Sequence, residues 1–212
     1  MNRWINLLSR TEVRFEKEGS FNTATFEELE EYERRIGITF PLGYKEYCSV
    51  FGKGMFGDRW IIVDCPELVN LEPQMTSNRD ILDSWSTDEE FTGISSKIDT
   101  GYLFGSAQQA LFFFDMETYR EEDKSCDIYG ININANICNF GRDFYTFISE
   151  YCLGKKALED FPDLVEDITP PGRSVEETLQ PTFEALQPYS VYYSDETQIV
   201  VPVELFKPNS SL

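Results

Sequence analysis

A chain of 212 residues with 41% hydrophobic and 15% aromatic residues can bury enough apolar area for one core, or one core with an appendage, which excludes global disorder. Its 38 acidic residues against 18 basic ones leave a formal charge of -20, which disfavours direct binding of DNA or RNA, because such binding gains affinity by neutralising phosphates with clustered Lys and Arg. No stretch approaches the roughly 20 apolar residues of a membrane helix, and residues 1–10 lack a signal-peptide pattern, so a cytoplasmic protein without membrane attachment is expected.

Trp4, Leu7 and Leu8 recur at helical spacing and predict a short amphipathic helix at the start of the chain. Thr25-Phe26-Glu27-Glu28 is a capping-box pattern, in which the Thr25 hydroxyl and the Glu28 carboxylate each satisfy an orphan backbone donor. The helix it opens carries Phe26, Leu29, Tyr32 or Glu33, and Ile36 on one side, and Gly37 is placed to end it in a left-handed conformation. Pro41 favours the first turn of a second helix, which presents Tyr44, Tyr47, Cys48 and Phe51 before the glycines at 52, 54 and 57 break it.

Residues 60–63, 102–104 and 110–114 are apolar runs bounded by turn residues and predict strands. Residues 129–137 predict a further strand, with Ile131, Ile133 and Ala135 alternating against Asn132, Asn134 and Asn136. An antiparallel sheet follows. From 139 to 154 the helical period returns, with Phe140, Phe144, Phe147, Ile148 and Tyr151 on one stripe and Gly154 as the stop.

Residues 158–172 are acidic and contain Pro162, Pro170 and Pro171, a composition closer to a linker than to a core element, so a boundary is expected after residue 154. Beyond it Ser174-Val175-Glu176-Glu177 is another capping box, for a helix that Pro181 limits to about two turns. Residues 199–206 predict a strand interrupted by Pro202. The tail from 155 to 212 is thus read as an acidic, Pro-containing linker with a small C-terminal appendage.

Taken in order, residues 26–54 resemble the opening signature of the SUKH superfamily: a helix, Gly37, the apolar-Pro pair Phe40-Pro41, an aromatic helix with Tyr44 and Tyr47, then Gly52 and Gly54. Tyr102-Leu103-Phe104-Gly105, the strand of residues 111–115 and the helix containing Phe144 follow in the order that family uses, so the resemblance covers residues 1–154. The sequence departs from the pattern where the usual Leu-Pro is Phe-Pro and where the common Asn-Gly-Gly turn is Phe51-Gly52-Lys53-Gly54. The resemblance implies an α+β fold, a mainly antiparallel sheet wrapped by N-terminal and C-terminal helices, here with a short C-terminal extension. It also implies a protein-binding scaffold of the kind found among bacterial toxin-immunity proteins and in a fungal regulator of cell-wall synthesis. Gly37, Pro41, Tyr44, Gly52, Gly54, Gly105 and Phe144 are its structural motif positions.

With no histidine the chain lacks the commonest general base and metal ligand, and every Ser-His or Cys-His arrangement is excluded. Cys48, Cys65, Cys126, Cys138 and Cys152 are odd in number and widely spaced, which suits reduced thiols and opposes a zinc site or a disulfide framework. Gly52-Lys53-Gly54 lacks the Gly-Lys-Ser/Thr ending of a phosphate loop and reads as a turn. No catalytic residue, metal or cofactor is therefore expected. A His-free carboxylate enzyme remains the reading furthest from this one.

The acidity is uneven: residues 58–130 hold 16 acids and 5 bases, whereas residues 1–57 hold 9 and 8. Within that region Trp85 stands among Asp83, Asp88, Glu89 and Glu90, and Tyr119 among Glu117, Glu121, Glu122 and Asp123. An aromatic anchor within carboxylates is chemistry suited to a basic protein, since carboxylates accept paired hydrogen bonds from Arg. The expected partner-binding residues are Trp85, Asp88, Glu89, Glu90, Tyr119, Glu121, Glu122 and Asp123. The alternative for either aromatic is a loop residue folded back on the core, and for the carboxylates a generic solvated surface. The expected function is an immunity protein occluding a basic toxin, such as a nuclease, with an acidic face. A regulatory or scaffold module binding a housekeeping protein is the alternative.

Overall fold

A computed structural model describes residues 2–15, 21–58, 60–66, 97 and 100–186. Trp85, Asp88, Glu89 and Glu90 lie outside the described residues, as does the strand expected at 199–206.

The chain opens with helix α1 (Asn2–Leu8) and strand β1 (Glu12–Phe15). Helix α2 (Phe26–Ile36) starts on the expected capping box, the Glu28 N–H donating to the Thr25 hydroxyl at 3.2 Å and the Thr25 N–H to the Glu28 carboxylate at 2.8 Å. It ends on Gly37 at φ 74. Helix α3 (Leu42–Val50) follows with Pro41 as its N-cap, one position outside the first turn, and buries Tyr44, Tyr47 and Cys48.

Strands β2 (Gly54–Phe56), β3 (Ile61–Val63), β4 (Gly101–Ala107), β5 (Ala110–Arg120), β6 (Ser125–Asn132) and β7 (Ile137–Asn139) are joined by β8 (Thr182–Ala185). The sheet has eight strands in the order β1-β8-β2-β3-β4-β5-β6-β7, antiparallel except for the parallel pair β1–β8. The protein is thus α+β. Among the described residues no helix is long and apolar enough to cross a membrane.

One face of the sheet carries an aromatic core. Phe104 stacks on Phe114 at 4.3 Å between centroids, with Tyr44 edge-on to Phe114 and Phe144 edge-on to Phe104. Burying each such ring contributes about 2–3 kcal/mol. The other face is covered as well: Leu111, Phe113 and Ile131 form a second buried cluster, with Leu103, Tyr129 and Ala135 against it. Burial on both faces is why residues 110–114 read as a continuous apolar run rather than as an alternation.

Three expectations are corrected. The strand expected at 129–137 ends at Asn132, and residues 133–136 make a hairpin turn instead. Asn132 is fully buried, and its side-chain oxygen accepts the N–H groups of Asn134 and Asn136 at 3.1 and 2.9 Å. Ala135 takes the left-handed conformation at φ 60. Asn side chains satisfy turn backbone in just this way, which outweighs a period-two pattern.

The helix expected from residue 139 begins only after Asp143, which caps the short helix α4 (Phe144–Thr146). The next turns widen into a π-helix (Phe147–Cys152). Asn139 itself closes β7.

The segment expected to be linker and appendage belongs, as far as residue 186, to the same core. Helices α5 (Lys156–Asp160), α6 (Pro162–Ile168) and α7 (Val175–Thr178) lead into β8. Ala157, Leu164, Val165, Ile168 and Phe183 are buried in the main core cluster. The prolines punctuate helices: Pro162 opens α6, where its missing N–H costs nothing, and Pro170 follows its end. β8 enters the sheet between β1 and β2, and Gly54 makes room for it, since a Cβ there would lie 2.1 Å from the Phe183 ring.

Candidate functional site

The described half of the expected acidic face is the tip of the β5–β6 hairpin. Strand β5 ends at Arg120, and residues 121–124 turn the chain, Lys124 at φ 49, into β6, where Arg120 pairs with Ser125. The ladder is irregular between Asp115 and Arg120. Thr118 brackets that irregularity, its hydroxyl donating to the Asp115 carbonyl and accepting the Asp127 N–H, both at 2.8 Å.

Arg142 holds the hairpin from the side. Its guanidinium donates to the Asp127 carboxylate at 2.7 Å, to the Ser125 hydroxyl at 3.2 Å and to the carbonyls of Thr118 and Ser125. The tip is also tied to α3, because the Leu42 N–H donates to the Lys124 carbonyl at 2.9 Å. A rigid hairpin presents its side chains with little entropy left to lose on binding.

Glu121, Glu122 and Asp123 are exposed at this tip. The Ser125 hydroxyl, donating to Asp123 at 2.7 Å, holds that carboxyl below its usual range, so it stays charged. Tyr119 is half-buried and packs against the main core, with its hydroxyl enclosed and without a hydrogen-bond partner among the described residues. Burial first, then the nearby carboxylates of Glu121 and Glu33, push its ionisation upward. The structure brings Glu121, Glu122 and Asp123 together as an exposed cluster and turns Tyr119 inward beneath them.

The expected motif positions lie in the core, at turns or at a register shift. Tyr44 is fully buried and donates to the Asp64 carbonyl at 2.7 Å, and Phe144 is 1% exposed. Gly105 sits at a register shift in the β4–β5 ladder. Gly52 turns at φ 71, and the buried Lys53 between the glycines lies 3.0 Å from Asp64.

The five cysteines are in the thiol form rather than in disulfides, and all are buried. Burial raises Cys126 to about 12 and Cys138 to about 11, and Cys152 well above its usual value, so none of these three is a ready nucleophile. Among the described residues no three acidic or cysteine side chains come together in a group that could hold a metal ion.

A second charged constellation was not anticipated from sequence. Asp115 and Asp127 are directly opposite in the β5–β6 ladder. Lys97 pairs with the first at 2.8 Å and Arg142 with the second at 2.7 Å. The signal for it was an Asp closing an apolar strand run, which becomes readable only once the hairpin register is known. Compared with known proteins, no family model matches the chain and no curated protein matches it.

Proposed function

We propose that the chain is a non-catalytic protein-binding domain of the SUKH immunity kind, acting in the cytoplasm, which neutralises a basic toxin by covering its substrate-binding surface. The helices about the sheet take the SUKH arrangement in this reading. The observation that carries it is the exposed triplet Glu121, Glu122 and Asp123 on a hairpin braced by Arg142. Fixed carboxylates on a protein of charge -20 accelerate encounter with a cationic surface and accept its arginines. A nuclease surface, built to hold phosphates, is rich in those groups.

The test begins with capture of a partner by the tagged chain at low and high salt, followed by association rates for wild type and E121K/E122K across ionic strength. The variant should associate more slowly and with a shallower salt dependence. Equal rates and slopes would overturn the reading.

A further inference from the structure

Like charges directly opposite on neighbouring strands destabilise a sheet, so the pair Asp115 and Asp127 must be offset by cations. The two cations are held differently. Arg142 is 21% exposed and tied by four hydrogen bonds, a fixed part of the hairpin. The Lys97 side chain is 40% exposed and reaches Asp115 across the sheet face. Its Nζ donates to Asp115 Oδ2 at 2.8 Å and lies 4.7 Å from the centre of the Tyr129 ring, which stacks on Phe113.

The Asp115 side chain is only 3% exposed, and its other oxygen, Oδ1, has no hydrogen-bond partner among the described residues. A buried carboxylate oxygen left unsatisfied is costly, and one lysine, a point charge, has not filled the site. A carboxylate beside an aromatic face is the arrangement that recognises a cationic side chain. A guanidinium, with parallel N–H groups, can engage both oxygens at once.

We propose that Asp115 and Tyr129 form a cation-recognition site whose resident occupant is the chain's own Lys97, and that its ligand is an arginine side chain of a basic protein partner, which displaces the lysine. This rests on the reading of the chain as a binder of basic proteins and adds a second, specific contact to the hairpin tip.

The test needs no partner. K97A is titrated with ethylguanidinium and with ethylammonium, following the backbone NMR signals of Asp115, Asp127 and Tyr129, with sodium chloride as the ionic control. Saturable shifts at these three residues are expected, with ethylguanidinium tighter by about fivefold, the worth of one additional net hydrogen bond. They should be weaker in the wild type, where Lys97 competes, and absent in K97A/D115N. Absence of saturable shifts in K97A, or equal shifts in K97A/D115N, would overturn the proposal. Should K97A not fold, K97M keeps the aliphatic packing over Tyr129 and takes the same titration. If neither variant folds and neither is restored by ethylguanidinium, Lys97 is a structural partner alone and the proposal fails. A negative result here leaves the hairpin-tip reading intact, because that reading is judged by E121K/E122K.

Discussion

Glu33 of α2 and Lys45 of α3 form an ion pair at 3.2 Å with both side chains only 11% exposed, and the same carboxylate accepts the Phe40 N–H at 2.6 Å. One acidic side chain thus ties the end of α2, the connection and the first turns of α3. Removing one partner of a buried pair strands the other charge, which costs about 3–5 kcal/mol, whereas removing both costs much less. Lys45→Met should therefore lower stability by about 3 kcal/mol, and E33Q/K45M should recover most of the loss. Urea midpoints at unchanged slope measure both. A double variant no more stable than K45M would show that the stranded Glu33 charge is not the source of the loss.

Two glycines at positive φ separate conformational strain from steric exclusion. At Gly37, φ 74, a Cβ would meet nothing within 4 Å, so Gly37→Ala should cost about 1 kcal/mol, the strain of the left-handed conformation alone. At Gly52, φ 71, a Cβ would lie 2.1 Å from the Asn22 carbonyl oxygen. Gly52→Ala should cost more than about 3 kcal/mol or prevent folding. Thermal denaturation of both variants side by side checks the ordering.

The Phe183 ring of β8 lies 5.0 Å from Phe56 and 5.1 Å from Phe51 and is fully buried. Phe183→Ala should cost about 3–5 kcal/mol. A chain ending at Gly154 loses β8 from between β1 and β2 and should not give a cooperative unfolding transition. For that reason truncation at 154 cannot serve to locate partner binding. A cooperative transition in the shortened chain would show that β8 is dispensable.

Burial raises Cys126 to about 12 and Cys138 to about 11, and lifts the hydroxyls of Tyr44, Tyr47 and Tyr102 well above their usual range. Their folded values lie above their unfolded ones. The stability they contribute is therefore fully present below pH 9, the usual pKa of an unfolded thiol, and is lost as pH rises through about 11 and 12. Urea midpoints measured from pH 8 upward should fall over that window, with tyrosine ionisation coinciding with unfolding. The thiols should resist alkylation at pH 8 until denaturant is added. Rapid alkylation of Cys126 in the native protein would contradict its burial.

Local chemistry was legible wherever one short stretch contained its own partners. The boxes Thr25/Glu28 and Ser174/Glu177 close within four residues, and both are present. The cap at Gly37 needs only the φ that glycine allows. The acidic triplet at 121–123 could be read because exposure is the default for three consecutive carboxylates. Tyr119 could not be placed, because an aromatic beside acids packs inward or outward according to what lies under the hairpin. The Asn run at 132–136 misled because its alternation matches a strand equally well until Asn132 finds its turn partners and Asp167, 35 residues away.

By itself, then, the sequence determined the α+β class, both ends of α2 and the start of α7, the main apolar strands and the absence of histidine chemistry. All of these depend on composition or on neighbours a few residues apart. Tertiary structure alone decided that β8 is inserted between β1 and β2, that Arg142 braces the hairpin, and that Lys97 meets Asp115 beside Tyr129. Each of those contacts joins segments distant in sequence. Their worth comes from burial and register, which exist only after the sheet has assembled.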